Sequence, residues 1–163
     1  MTLAEGNALS TADFVARFGA LFEHSPWVVE RAAALRPFAD LYAGLMAPVF
    51  AASEAEQLAL IRAHPELAGK AAIDRTLTEA SAAEQASAGL DRLTPEEFAR
   101  FHALNAAYRA RHDFPFIICV RLTDKAGILA ALEHRAVQPR EAEIAAAIAE
   151  IGHIVRLRLE DLP

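Results

Sequence analysis

Cysteine, positive charge and long apolar runs are scarce in this chain, and each shortage excludes a class of protein. Among 163 residues the single cysteine is Cys119, so an internal disulfide or a metal site of several thiolates cannot form. No apolar stretch reaches the roughly 20 residues that span a bilayer. The first ten residues lack a cationic start followed by an apolar core. We therefore expect a cytoplasmic protein with no membrane partner.

Basic residues are too few and too scattered for a nucleic-acid surface. Two lysines and fourteen arginines stand against 22 acidic residues, which gives a formal net charge of -6. We expect no nucleic-acid partner. The sequence also lacks a G-x-S-x-G elbow, a G-x-G-x-x-G turn and a complete P-loop, which argues against a serine hydrolase and a nucleotide-binding protein.

What the chain has in abundance is alanine, at 38 positions against 7 glycines and 8 prolines, which favours helices throughout. Capping residues ahead of apolar residues at helical spacing indicate where helices start. Such starts occur at Ser10, Ser25, Ser53, Ser81 and Thr94, and further helices are predicted around Leu41, from Thr123 and after Pro139. We expect an all-α fold: a single compact domain over residues 1–163, with about seven or eight helices.

Two segments break the helical pattern. Residues 64–78 are punctuated by glycine and threonine and are predicted to be mostly loop. Residues 114–120 are aromatic and β-branched and contain Pro115, which predicts an extended connector because a lone strand would have no partner. Pro48 should end or kink its helix. The helix after Thr94 should bury four residues, Phe98, Phe101, Leu104 and Tyr108.

Taken one at a time, the polar candidates have ordinary structural explanations. His64 stands at a predicted helix end, where histidine is common, and Glu84 fits a capping box with Ser81. Cys119 fits an inert buried thiol, and either Arg121 or Arg158 could form a surface ion pair. Only one Glu-x-x-His pair occurs, in the C-terminal helix, and a di-iron site needs two. We expect no metal.

Taken together and in order, several runs resemble the family of 2-oxo-4-hydroxy-4-carboxy-5-ureidoimidazoline (OHCU) decarboxylases. The runs cover nearly the whole chain. They are Phe-Glu-His-Ser-Pro-Trp-Val at 22–28, Arg-Ala-His-Pro-Glu-Leu-Ala-Gly-Lys at 62–70, Ser-Ala-Ala-Glu-Gln at 81–85 with Ala-Gly-Leu at 88–90, Leu-Asn at 104–105 with Tyr108, Phe-Pro-Phe-Ile-Ile-Cys-Val-Arg at 114–121 and Ile-Val-Arg-Leu-Arg-Leu at 154–159.

The resemblance implies an all-helical enzyme that forms (S)-allantoin without a cofactor, acts on a small molecule and is commonly a homodimer. His64 matches the family's proton donor, and Glu84 is implied to lie close to it. The implied substrate contacts are Pro65, Ser81, Ala82, Ala83, Glu84, Gln85, Phe116, Ile117, Ile118, Cys119, Val120 and Arg158. Asp113 departs from the glycine common at this position, but aspartate tolerates left-handed backbone angles better than most residues.

Two other functions remain open from the sequence. A non-catalytic helical module that binds a partner through an apolar groove would also explain the alanine-rich helices. An enzyme of the same fold could act on a related ureide.

Overall fold

Helices and their connections account for all the regular structure in the computed structural model, which describes residues 1–70 and 72–163. No strand occurs within these residues, which confirms the all-α prediction. The helices are α1 (Leu3–Ala8), α2 (Thr11–Phe18), α3 (Pro26–Ala34), α4 (Leu41–Ala51), α5 (Glu54–Arg62), α6 (Lys70–Ile73), α7 (Glu79–Ser87), α8 (Pro95–His112), α9 (Lys125–Arg135) and α10 (Arg140–Asp161), with 3-10 turns at Gly19–Leu21 and Val120–Leu122. The described helices outnumber the seven or eight expected.

Side-chain caps set several helix starts where the sequence places them. Ser53 and Glu56 form a complete capping box at α5, as do Thr94 and Glu97 at α8. Ser10 caps α2 by accepting a hydrogen bond from the Asp13 amide. The short helix α1, with a capping box of its own, was not predicted.

Two expectations about helix starts, at Ser81 and at Thr123, are wrong. Ser81 does not begin a helix, because the Thr78 side chain accepts a hydrogen bond from the Ser81 amide and caps α7, which starts at Glu79. Pro48 lies inside α4, which continues to Ala51, so this proline does not end its helix, and the alternative of a kink stays a prediction. Asp124, not Thr123, caps α9. At both helix starts a neighbouring residue takes the capping role.

The inward face of α8 also differs from the prediction at one end. Phe101 and Tyr108 are fully buried, whereas Phe98 is 39% exposed and Leu104 is only half-buried. Asn105, on the same helix, is also buried. A buried amide side chain needs hydrogen-bond partners.

By internal contacts the chain divides into two compact units, residues 1–63 with 152–163 and residues 64–151. In the first, α3 packs against α2 and α4 around Phe14, Phe18 and Val28. The Tyr42 hydroxyl donates to the Gly152 carbonyl at 2.8 Å, which ties α4 to the C-terminal part of α10.

The second unit is built around an aromatic cluster. Tyr108 lies edge-on to Phe114 and Phe116, with ring centroids 5.9 and 5.4 Å away, and α8 packs against α9. The segment between these helices has no regular structure from residue 115 to residue 119. The prediction of a non-helical connector is therefore confirmed for residues 115–119, whereas Val120 begins a 3-10 turn. No helix of the described chain is both long enough and apolar enough to cross a membrane.

The turn from α8 into this connector depends on a left-handed residue. Asp113 has φ 61° and ψ 31° at the C-terminus of α8, and its amide donates to the Arg109 carbonyl. The turn predicted to survive the absence of glycine is present.

This geometry predicts a difference between two substitutions that both remove the carboxylate. Asp113→Gly should be more stable than Asp113→Ala by about 1 kcal/mol, because alanine keeps the Cβ that disfavours the left-handed region. Urea denaturation of the two variants measures the difference. Equal unfolding free energies would show that the angle carries no strain.

Candidate active site

His64 begins the second unit, directly after α5. Helix α5 ends at Arg62 with Ala63 as its C-cap, and Pro65 disfavours helical angles at His64. The imidazole is buried, with 7% of the residue exposed, and Pro65 is half-buried. The predicted proton donor thus lies on a non-helical segment, residues 64–69, which we call the histidine loop.

Side chains from α7 and α8 hold the histidine loop through its main chain. The Gln85 Oε1 atom accepts from the Ala68 amide at 3.0 Å, and the Asn105 Nδ2 atom donates to the Leu67 carbonyl at 2.9 Å. Ala68 has φ 52°, a conformation that costs a residue with a Cβ roughly 1–2 kcal/mol. These hydrogen bonds offset that strain, so the loop takes one conformation.

An ion pair adds to this support. Arg109 Nε lies 2.7 Å from Glu66 Oε1. Both side chains are partly exposed, and such pairs contribute little to stability, so we assign the loop's conformation mainly to Gln85 and Asn105.

Helix α7 presents two of its predicted site residues to the interior. Ser81 and Gln85 are each 5% exposed and lie four residues apart, on one helix face. Glu84 is half-buried, whereas Ala82 and Ala83 are exposed. Ser81, Glu84 and Gln85 therefore remain candidates for substrate contact, whereas the side chains of Ala82 and Ala83 lie at the surface.

The connector provides the second main-chain segment of the site. Phe116, Ile117, Cys119 and Val120 are buried, whereas Ile118 is half-buried. The 3-10 turn at the end of the connector packs against α7. The second unit thus brings the histidine loop, α7 and the connector together.

The Cys119 thiol is held in its neutral form. Burial raises its pKa first, and the carboxylates of Glu150 and Glu84 raise it further. A thiolate is the reactive form of cysteine, so the thiol is unreactive at neutral pH, in agreement with the sequence analysis.

A buried polar network supports the connector from α8, α9 and α10. Arg135 donates from NH1 to the Ile117 carbonyl at 2.7 Å and from Nε to Glu143 Oε1 at 2.8 Å. The Tyr108 hydroxyl donates to the same Glu143 oxygen at 2.7 Å. Sequence reasoning missed Arg135 and Glu143, because partners 18 and 35 residues apart leave no local pattern.

Arg158 lies in the first unit, on the C-terminal part of α10. Its NH2 atom is 2.9 Å from Glu23 Oε1, and the two side chains are 7% and 2% exposed. A buried guanidinium beside a buried carboxylate is fixed in direction. Its predicted role as a substrate contact stays a prediction.

A cavity of about 890 Å³ also lies in the second unit. Ala82, Gln85 and Phe98 are among its lining residues, and His64 and Glu84 are not. Within the described residues, no three His, Cys, Asp or Glu side chains are grouped so that they could hold a metal ion.

Comparison with known proteins decides the family. The family model described as OHCU decarboxylase matches residues 7–160. The chain belongs to the OHCU decarboxylase family. Within it, the chain is 41% identical to 2-oxo-4-hydroxy-4-carboxy-5-ureidoimidazoline decarboxylase of Haloferax volcanii, over 99% of this chain and 95% of that protein.

Two further similar proteins are longer than this chain. A uric acid degradation bifunctional protein of Bacillus subtilis is 40% identical over 99% of this chain, which spans 32% of that protein. The crystal structure of an (S)-allantoin synthase superposes with a TM-score of 0.75 at 30% identity, covering 98% of this chain and 52% of that one.

The Tyr108–Glu143 contact predicts how stability depends on alkaline pH. Burial, and then the hydrogen bond to Glu143, raise the pKa of Tyr108 above its ordinary value. The folded state therefore keeps a proton that the unfolded state loses, and stability falls as pH rises above about 10. Between about pH 9 and about pH 11, the unfolding free energy should fall less steeply in Tyr108→Phe than in the wild type.

Chemical denaturation at each pH measures these slopes. Equal slopes in the two proteins would show that the Tyr108 phenol does not titrate differently on folding.

Proposed function

We propose that this protein is an OHCU decarboxylase that converts 2-oxo-4-hydroxy-4-carboxy-5-ureidoimidazoline to (S)-allantoin in urate degradation. The match to the family over residues 7–160 carries the proposal. The placement of the histidine loop, α7 and the connector in one unit supports it, because these are the three segments that the resemblance implies in the site.

The substrate's own structure supplies an electron sink. Its carboxylate is attached to a ring carbon that bears a hydroxyl and adjoins a ring C=N bond. When the bond to the carboxylate breaks, carbon dioxide leaves, the electron pair forms a C=C bond to the adjoining ring carbon, and the nitrogen of the former C=N bond takes up a proton from solvent. A proton then reaches the adjoining ring carbon, and the hydroxyl loses its proton to become a carbonyl. The protein has to orient the carboxylate, stabilise the developing charge and deliver the proton to one face.

His64 is the proton-transfer group in this proposal. Imidazole titrates near neutral pH, so it can accept the hydroxyl proton and return one to carbon. Its burial at 7% exposure limits competing transfer to bulk water. Glu84, half-buried on α7, orients or polarises the imidazole. The protein supplies binding and orientation, and we propose that it uses no cofactor.

In this proposal α7 and the connector recognise the polar groups of the substrate. Ser81, Gln85 and the main chain of residues 116–120 supply the donors and acceptors that ureido and ring amides need. Gln85 also accepts a hydrogen bond from the Ala68 amide. In this proposal it therefore has two roles: it binds the substrate and it holds the histidine loop.

We also propose that the protein works as a homodimer in the cytoplasm, as the resemblance implies. Family membership favours an enzyme over the alternative of a non-catalytic helical module.

Replacing the imidazole tests the proton-transfer role. His64→Asn should fold normally and slow decarboxylation by about a hundredfold or more, the usual effect of losing an acid–base group. Circular dichroism follows (S)-allantoin as it forms from freshly generated substrate. His102→Asn is the matched control, because His102 is exposed on α8. A His64→Asn enzyme with the wild-type rate would remove His64 from the mechanism.

Chelation tests the absence of a metal from the chemistry. Since the substrate's C=N bond accepts the electron pair, EDTA should leave the decarboxylation rate unchanged. The rate is measured before and after extended dialysis against the chelator. Loss of activity that zinc restores would contradict the proposal.

A further inference from the structure

The connector makes two hydrogen bonds to charged side chains, one on each side of Ile118. Arg135 donates to the Ile117 carbonyl at 2.7 Å, and the Cys119 amide donates to Glu150 Oε2 at 2.9 Å. Both are hydrogen bonds to an ionised group, which are shorter and stronger than neutral ones. Ile118, the residue between them, receives neither contact.

Peptide geometry fixes what these contacts do to Ile118. In a trans peptide the C=O and the following N–H point in opposite directions, and the only cis peptide in the described chain is Arg36-Pro37. When the Ile117 carbonyl points at Arg135, the Ile118 N–H points away from it. When the Cys119 amide points at Glu150, the Ile118 carbonyl points away from Glu150. The Ile118 N–H is thus turned away from Arg135 on α9, and the Ile118 C=O is turned away from Glu150 on α10.

The Ile118 main chain is available to a ligand. No residue in the part of the chain that the structure describes hydrogen-bonds to its N–H or C=O. Ile118 is also the half-buried member of a segment, 114–120, whose other residues are buried. A polar main chain at a partly buried position needs a partner, from water or from a ligand.

The Arg135 side chain is itself held by its neighbours. Arg135 is 12% exposed and Glu143 is 3% exposed, and the Arg135 guanidinium lies over the Phe116 ring at 4.5 Å from its centroid. Glu143 accepts from both Arg135 and Tyr108. Two of the three guanidinium nitrogens of Arg135 are thus bonded, Nε to Glu143 and NH1 to Ile117, and these two hydrogen bonds fix the direction of the side chain.

We propose that Arg135 and Glu150 are positioning residues that present the Ile118 N–H and C=O as the edge that reads an N–C=O group of the substrate. This inference rests on the proposed function and names the ligand chemistry: a ureide or cyclic amide, which offers an acceptor and a donor side by side. Neither charged side chain touches the substrate.

Substitution of Glu150 separates positioning from catalysis. Glu150→Ala removes the acceptor of the Cys119 amide and should raise KM about tenfold, with kcat changed by less than about threefold. Glu150→Gln keeps an oxygen acceptor and should restore KM to within about threefold of the wild type. Glu141→Ala, an exposed position on the same helix, is the matched control and should leave KM unchanged.

Arg135→Lys provides the second arm. A lysine keeps the charge but cannot reproduce the fork that reaches Ile117 and Glu143 together, so KM should again rise about tenfold. Arg100→Lys is the control, because Arg100 pairs with Glu133 at the exposed surface. Isothermal titration with (S)-allantoin should give a dissociation constant that rises in parallel with KM.

Amide hydrogen exchange, measured by NMR, tests the same idea in the unmodified enzyme. The Cys119 amide should be protected in the free protein, and the Ile118 amide should gain protection only when (S)-allantoin is added. Glu150→Ala and Arg135→Lys proteins that fold but keep wild-type KM and allantoin affinity would overturn the inference and leave the proposed function intact. A wild-type protein that neither turns over OHCU nor binds allantoin would overturn the proposed function itself.

Discussion

Main-chain groups that lie outside helices must find partners when they are buried, and this constraint shapes the whole candidate site. An all-α protein satisfies most of its peptide groups inside helices. The histidine loop and the connector cannot do so, and both are partly buried. Side chains from the surrounding helices supply the hydrogen bonds instead. Gln85 and Asn105 bind the main chain of the loop, and Arg135 and Glu150 bind the main chain of the connector.

Because helix side chains hold the main chain of the loop and the connector, the site can be rigid although these two segments have no regular structure. A helix offers few free peptide groups along its length, so a polar ligand rich in amides is better read by non-helical backbone. The helices then contribute rigidity and polar support. Left-handed angles occur at Ala68, near the end of the histidine loop, and at Asp113, where the chain leaves α8, and a hydrogen bond from the amide of each residue stabilises them.

Local signals in the sequence were enough for much of the fold. Capping boxes at Ser53 and Thr94 involve residues three apart, and the apolar spacing after Pro139 predicts a long helix that is observed as α10. The same kind of signal misled at Ser81, where Thr78 competes for the same role three residues earlier. A local pattern cannot show which of two nearby capping residues starts a helix, because packing decides between them.

The candidate site was predictable only in part. His64, Glu84 and the connector were reached through ordered runs that resemble a family, since each alone has an ordinary structural explanation. The supporting residues could not be found in this way. Asn105 reaches a carbonyl 38 residues away and Arg135 one 18 residues away, so their roles exist only in the folded chain.

The central claim is that the histidine loop, the buried face of α7 and the connector bind one ligand together. A titration of isotopically labelled protein with (S)-allantoin, followed by amide chemical shifts, tests this most directly. The account predicts that the largest changes fall in residues 64–69, 81–85 and 116–120. Changes confined instead to residues around the 890 Å³ cavity, such as Ile73, Leu93 and Phe98, would contradict it.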